Sequence, residues 1–273
     1  MAVSKADKTA YNEYIKDLKV EKDASYKHIT ELQKKQKEMP RIKAYYVIET
    51  VLELLKIISL DLNMSDASVE IMNIKNENSL KNARKEFINV LQKMEDLVGN
   101  QVDRSLKENE EYLQALDRIN PQQWLNFIKR LHYVLSTLIE KIGETSKWKW
   151  SFVDLNARVS VITKNVINFS DIQKYRDPRT EFYRERQELL RICKSSLRDV
   201  AQQYRNKYEQ STKVPGDMLR SIEFLSILRK IMILFSESDE ANKLKNTLDA
   251  LRARLEADEK DKDKKDKKME KYD

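Results

Sequence analysis

Residues 148–169 have the sequence WKWSFVDLNARVSVITKNVINF, and the way in which this stretch folds decides the fold class. Residues 147–152 alternate between polar and apolar side chains and many later residues are β-branched, which favours a strand. Apolar residues nevertheless recur at intervals of four and three: Trp148, Phe152, Leu155, Val159, Ile162, Val166 and Phe169. Because helical periodicity sustained over the whole stretch outweighs one short alternation, the sequence predicts a helix. A second apolar stripe predicts that this helix is covered on two sides and that both tryptophans pack in the core.

Glycine and proline are scarce in the rest of the chain as well, with three and four residues in total. Average usage is about 7% glycine and 5% proline, so turn-forming residues are nearly absent. Asn120-Pro121 and Asp177-Pro178 each combine a capping residue with a proline, which is typical of a helix start. Pro215-Gly216-Asp217 is predicted to form a turn. All seven glycines and prolines are predicted to lie between helices.

Helical periodicity between these positions predicts about nine helices. Their predicted extents are 5–38, 41–62, from a cap at Ser65-Asp66 to Gly99, 102–118, 121–142, 148–169, 177–210, 218–235 and 236–255. The helix lengths are irregular and no repeat is recognisable. The sequence therefore favours an all-α bundle of long, mostly antiparallel helices with short connections, and an irregular α-solenoid is the alternative.

The predicted domain organisation is one all-helical domain over residues 1–255, with a possible sub-boundary near 99–102. Beyond Leu255 the sequence consists almost entirely of charged residues of both signs. A helix without an apolar seam has nothing with which to dock, so residues 256–273 are predicted to form a charged, solvated tail.

Charge and hydropathy limit the compartment and the class of partner. The net charge of +7 is a moderate basic excess, which allows an acidic partner without requiring nucleic acid. The N-terminal residues lack the apolar segment of a secretory signal, and no uncharged run is long enough to span a membrane. A single cysteine, Cys193, cannot form an intrachain disulfide. We therefore expect a cytoplasmic protein without a transmembrane segment.

Residues for metal or phosphate chemistry are missing from the sequence. The two histidines, His28 and His132, are far apart and neither belongs to a metal-binding motif. Three isolated glycines cannot build a phosphate-binding loop. His132 and Cys193 lie in apolar helical patterns and are predicted to be buried. The sequence thus predicts a protein that is not an enzyme, with no catalytic residue, metal or cofactor.

The most regular polar pattern lies in the helix predicted at 177–210. Arginines recur there every seven residues beside an apolar row: Arg184, Arg191, Arg198 and Arg205 beside Tyr183, Leu190, Leu197 and Tyr204. Arg184 can pair with Glu181 or Glu188, whereas Arg198 has no acid three or four residues away. Arginines that flank a seam bind carboxylates on a neighbouring helix or an external anion. These eight residues are the predicted partner-binding site, and internal pairing is the alternative.

Together these features predict a structural or interaction protein. We expect a helical scaffold or adaptor that self-associates, or binds a partner protein through coiled-coil-like seams, as part of a larger assembly. The alternative is binding of a polyanion, either nucleic acid or an anionic membrane surface, through a basic helix face. Polyanion binding weakens steeply with ionic strength, whereas association through seams does not.

Overall fold

The computed structural model describes the backbone of residues 4–144 and 146–269, and the side chains of these residues up to residue 260. Ten α-helices and no strand occur in this part of the chain, which confirms the all-α prediction. The helices are α1 (Lys5–Glu38), α2 (Lys43–Met72), α3 (Glu77–Val98), α4 (Asn109–Gln114), α5 (Pro121–Ile142), α6 (Lys149–Asn165), α7 (Phe169–Lys174), α8 (Tyr183–Lys207), α9 (Pro215–Leu234) and α10 (Ser238–Met269). A 3₁₀ turn, Pro40–Ile42, follows α1, and a π-helical turn, Tyr208–Thr212, follows α8.

The helices pack in a series that runs across the molecule. Helix α1 packs on α2, which packs on α3, and α3 contacts both α5 and α6. Both of these contact α8, which packs on α9, and α9 packs on α10. Lys22 bonds to Asp61 and Gln36 bonds to Thr50, so α1 and α2 are antiparallel. The result is a bundle in which α1 and α10 form the two outer layers.

The stretch that decides the fold class is helical, as predicted. Helix α6 occupies its first part, and Val159 and Ile162 on this helix are fully buried. Helices α3, α5 and α8 all contact α6, which accounts for its two apolar stripes. A strand at this place would lack a neighbouring strand to satisfy its backbone groups. The predicted continuous helix is interrupted after Asn165, and its last residue, Phe169, is the first residue of the short helix α7.

The predicted helix start at Ser65-Asp66 is wrong, because α2 continues to Met72. Ser65 is buried inside the helix, and Asp66 pairs with Lys141 of α5. The helix ends at Asn73, whose φ of 52° is left-handed, and Asn76 then caps α3. Asparagine adopts the left-handed region more readily than most residues, which explains why the chain turns at this point.

The single helix predicted over 102–118 is also wrong, since the only helix in this segment is the six-residue α4. The side chain of Arg104 points inward and donates to the Val98 carbonyl at the end of α3. Asn109 donates to carbonyls of Lys164 and Ile167 at the end of α6. The segment therefore follows the ends of two helices and does not form a long helix of its own.

Two proline signals have a different outcome from the predicted one. The Asp177 carboxylate accepts from the backbone N–H of Arg179 in a local turn, and α8 begins only at Tyr183, so the predicted start at Asp177-Pro178 is wrong. Pro215 is the first residue of α9, so Gly216 lies within its first turn and the predicted separate turn is wrong. The capping box at Asn120-Pro121 is confirmed, with Gln123 as its third member.

Helix α10 continues through the predicted tail as far as Met269. Residues 256–260 are exposed, and within them Asp258 accepts a hydrogen bond from the Tyr208 hydroxyl at 2.6 Å. Arg254, one turn earlier, pairs with Glu209 at 2.6 Å. The first turn of the tail is thus linked to the π-helical turn. For residues 261–269 only the backbone is described, so the predicted exposure of residues 261–273 lies outside the described residues.

Candidate partner-binding surfaces

The apolar row of the predicted site lies in the core. Leu190, Leu197 and Tyr204 on α8 are buried. The Tyr204 ring stacks on Phe224 of α9, and its hydroxyl donates to Asp154 of α6 at 2.9 Å. Burial, with the neighbouring Asp154 carboxylate, raises the pKa of Tyr204. This row therefore packs against helices of the same chain, and Tyr183 at the start of α8 is half-buried.

The arginines of the predicted site face solvent, and three of them pair within the chain. The pairs are Arg191 with Glu188 at 2.7 Å, Arg205 with Glu209 at 3.0 Å, and Arg198 with Glu240 of α10 at 3.7 Å. Arg184 is exposed and has no ion pair among the described residues. Ion pairs on the surface contribute little stability, so these side chains can change partners. Binding of an external partner by the four arginines stays a prediction.

A large groove lies elsewhere, between α4, the start of α5, α7 and the segment that enters α8. Its volume is about 780 Å³. Apolar side chains form its floor, among them Leu113, Leu116, Trp124, Ile172, Tyr175 and Leu189. A volume of this size accommodates a short segment of another chain or a sizeable ligand. We call it the α4–α7 groove.

Carboxylates surround this apolar floor. They are Glu110, Asp117, Asp171 and Glu181, and none of them has an ion pair among the described residues. Arg186 is the one cation among the described lining residues. Its guanidinium donates to the Glu181 carbonyl and stacks on the Tyr175 ring at 4.7 Å. The α4–α7 groove therefore combines an apolar floor with an excess of negative charge.

The wall of the groove next to α8 contains a strained residue. Phe182 caps α8 with a φ of 58°, and left-handed backbone is rare for a bulky side chain. Such strain persists only where the surrounding contacts impose it. Phe182 lines the groove, and the Arg186 guanidinium contacts Glu181 and Tyr175, which both precede Phe182 in this segment. The sequence gives no signal for this conformation, because no glycine or asparagine stands at that position.

A buried cluster of cations joins the ends of α3 and α6. Lys164 is fully buried and donates to the Val102 carbonyl at 2.8 Å, and Arg104 is 5% exposed and donates to Val98. Carbonyl oxygens at helix C-termini are negatively polarised and accept from cations. Burial, reinforced by the charge of Arg104, lowers the pKa of Lys164 to about 8. A side chain on Gly99, whose φ is +79°, would clash with the Arg104 guanidinium. The sequence pattern did not reveal this cluster.

The two residues with the best potential for chemistry are confined by packing. His132 lies 3.0 Å from the Thr163 hydroxyl, and burial lowers its pKa. Cys193 is fully buried, and desolvation raises the pKa of its thiol to about 12.

No cluster of three His, Cys, Asp or Glu side chains suited to a metal occurs in the described residues. Their helices also include none that is both long and apolar enough to cross the bilayer.

Both tryptophans of Lys147-Trp148-Lys149-Trp150, which we call the KWKW segment, are half-buried at the edge of the core, although the sequence predicted core packing. The Arg84 guanidinium of α3 lies 4.2 Å from the centre of the Trp148 ring. Lys149 lies 4.7 Å from the centre of the Trp150 ring. One part of each ring contacts the core, and the remainder is available at the surface.

Comparison with known proteins places the chain in one family. The profile described as the TP0443 family matches residues 7–259, which include the α4–α7 groove and the KWKW segment. No curated protein and no solved structure matches the chain.

Proposed function

We propose that this chain, which belongs to the TP0443 family, is a non-enzymatic helical adaptor. It binds a segment of a partner protein in the α4–α7 groove. The observation that carries this proposal is the combination of an apolar floor with four carboxylates that have no ion pair among the described residues. The proposed partner segment is apolar on one side and rich in Lys or Arg along its edges.

Charge complementarity supports this class of partner. A buried or half-buried carboxylate gains most from a cation that arrives together with apolar surface, because water is then excluded from the pair. The Glu110 and Asp171 side chains are half-buried at the edge of the floor. A basic segment with apolar anchors would satisfy both features, as amphipathic segments do in other grooves.

Self-association has weaker support in the arrangement of the helices. Self-association through seams would use the narrow apolar faces of α1, α8 and α10. Each of them packs within the chain. Helix α1 packs on α2, α8 packs on α6 and α9, and α10 packs on α9. The large apolar residues that remain exposed are spread over α1, α2, α4, α5 and α9 and the links between helices. We therefore place the binding surface at the groove and not at the helix seams.

Site-specific photo-crosslinking tests this proposal in the cells that produce the protein. A benzophenone amino acid replaces Gln114, which lines the groove, or Thr247, which is exposed on α10. We expect a defined protein adduct from position 114 and none from position 247. Mass spectrometry of the adduct should identify a linked peptide that is both basic and apolar.

Charge reversal provides the decisive comparison. Glu110→Lys with Glu181→Lys should abolish the adduct at position 114, because the variant places cations against a basic segment. The matched control is Glu13→Lys with Glu256→Lys, two exposed positions outside the groove, which should leave the adduct unchanged. An adduct that survives the groove variant, or a linked peptide without basic residues, would overturn the proposal.

A further inference from the structure

A second groove lies between the start of α3, the end of α5 and the segment that enters α6. Its volume is about 400 Å³, and its apolar walls are Leu80, Ile142 and the Trp148 ring. Its cations are Lys75, Lys81, Arg84 and Lys147, against the single carboxylate of Glu77. We call it the Trp148 groove.

The positive charge of the Trp148 groove is not neutralised by the described residues. Glu77 lies 3.9 Å from Lys81, at the limit of an ion pair. Lys75 donates to the Ile142 carbonyl at 3.0 Å, and Arg84 donates to the Ser151 hydroxyl at 2.6 Å. The Arg84 Nε is buried without a hydrogen-bond partner in the described part of the chain. Three of the four cations thus have no carboxylate partner there, and an anion would complete the site.

The backbone next to the groove also favours an anion. Helix α6 begins at Lys149. The Trp148 N–H donates to the Ser146 hydroxyl at 3.3 Å and the Lys149 N–H donates to the Ser146 carbonyl at 3.0 Å, which leaves the Trp150 and Ser151 N–H groups without a partner in the described part of the chain. The first N–H groups of a helix lack partners within the helix and carry partial positive charge. Ser146, Lys147 and Trp148, which precede these groups, line the groove. An anion in the groove therefore meets side-chain cations close to this helix end.

Exposed apolar residues at the same place indicate the source of the anion. Ile74 is 57% exposed in the link between α2 and α3, directly before Lys75. The Trp148 ring is half-buried beside Lys147, which lies 5.5 Å from the ring centre. Tryptophan and exposed aliphatic side chains among lysines are typical of surfaces that insert shallowly into a membrane interface.

We propose that the Trp148 groove binds the phosphate headgroup of an anionic phospholipid at a membrane surface. The four cations contact the phosphate, the Trp148 ring lies at the level of the headgroups, and Ile74 enters the outer edge of the acyl region. This site is separate from the α4–α7 groove and does not depend on the function proposed for that groove.

Sedimentation of the full-length protein with vesicles tests this inference. We expect binding to vesicles that contain phosphatidylglycerol and none to vesicles of phosphatidylcholine alone, with affinity that falls as salt is raised. Lys81→Glu with Lys147→Glu should weaken binding about tenfold or more, because each removed cation contributes to the attraction. Ile74→Ser should weaken it at constant charge. Circular dichroism confirms that each variant is folded.

Matched variants and soluble probes define the results that would overturn the proposal. Lys230→Glu with Lys245→Glu makes the same change in net charge at exposed positions on α9 and α10, and should retain vesicle binding. Equal loss in this control would show attraction by net charge alone. Binding of glycerol phosphate or of a single-stranded RNA oligonucleotide without binding to vesicles would also overturn the proposal, as would the absence of vesicle binding at low salt.

Discussion

At the scale of single residues, the buried cations are the most unusual feature of the fold. Lys164 and Arg104 both lie in the core, and the groups that accept from them are backbone carbonyls and the Asn109 side chain. Carbonyl dipoles compensate a buried charge less completely than a carboxylate does, which is why burial lowers the pKa of Lys164 to about 8. The protonated form of Lys164 is therefore less stable in the folded state than in the unfolded chain.

This difference predicts how stability depends on pH. The pKa of Lys164 is about 8 in the folded protein, whereas the pKa of an ordinary lysine is 10.5, so the unfolded chain binds the proton more tightly between these values. The contribution of Lys164 to the free energy of unfolding should rise across this interval, by about 3 kcal/mol in total. Lys164→Met should lose this dependence, and its lost hydrogen bonds should add a cost that does not vary with pH.

Chemical denaturation of the wild type and of Lys164→Met below pH 8 and near pH 10.5 measures the effect. The stability difference between the two proteins should move in favour of the wild type as the pH rises. A constant difference across this interval would contradict the assignment of the buried charge. Lys245→Met, which changes an exposed lysine on α10 away from Lys164, is the matched control.

At the scale of helices, sequence patterns located most elements and failed at certain links. The capping box at Asn120 and the period of α6 are local signals, and both were correct. The boundary at Ser65 was wrong because tertiary packing decides it, and the boundary at Pro178 was wrong because a local turn uses the capping side chain. Ser65 is buried against other helices, and Asp177 uses its carboxylate for Arg179 in a local turn. A capping residue can therefore mark a helix start only where its side chain is free to cap.

Helix α1 shows how a thin seam is supplemented by polar contacts. Its buried apolar residues are few, and Lys22 reaches into the bundle to bond both oxygens of Asp61, which is 1% exposed. Burial raises the pKa of Asp61, with Lys22 acting against this shift. Removal of the cation from such a pair leaves a buried carboxylate without its counter-charge.

Lys22→Met should therefore loosen α1 more than any other helix. We expect a loss of about 3 kcal/mol in the free energy of unfolding, because the variant leaves the buried Asp61 carboxylate without a counter-charge. Hydrogen exchange should show faster exchange along α1 and unchanged exchange in α10. Lys56→Met breaks the half-exposed pair with Glu21 at 3.0 Å and should cost less than about 1 kcal/mol. Equal losses in the two variants would contradict a special role of Asp61.

At the scale of the whole molecule, the two grooves could not be predicted from the sequence. Glu110 and Glu181 are about as far apart in sequence as Lys81 and Lys147, and no local period connects either pair. The bundle brings each pair to one groove, because α5 places residues of both grooves at its two ends. The sequence predicted a partner-binding surface of arginines on α8, since their regular column is visible there without knowledge of the fold.

The positions of the grooves predict that they bind independently. Trp124 lines the α4–α7 groove and Ile142 lines the Trp148 groove, and 18 residues of helix α5 separate them by roughly 27 Å. This distance exceeds the Debye length of about 10 Å at 0.1 M salt, so the charges of one groove are screened from the other. The Glu110→Lys, Glu181→Lys variant should bind vesicles that contain phosphatidylglycerol as the wild type does at this ionic strength. The Lys81→Glu, Lys147→Glu variant should in turn retain the adduct at position 114. Loss of both activities in either folded variant would contradict separate sites and would indicate one surface that both ligands share.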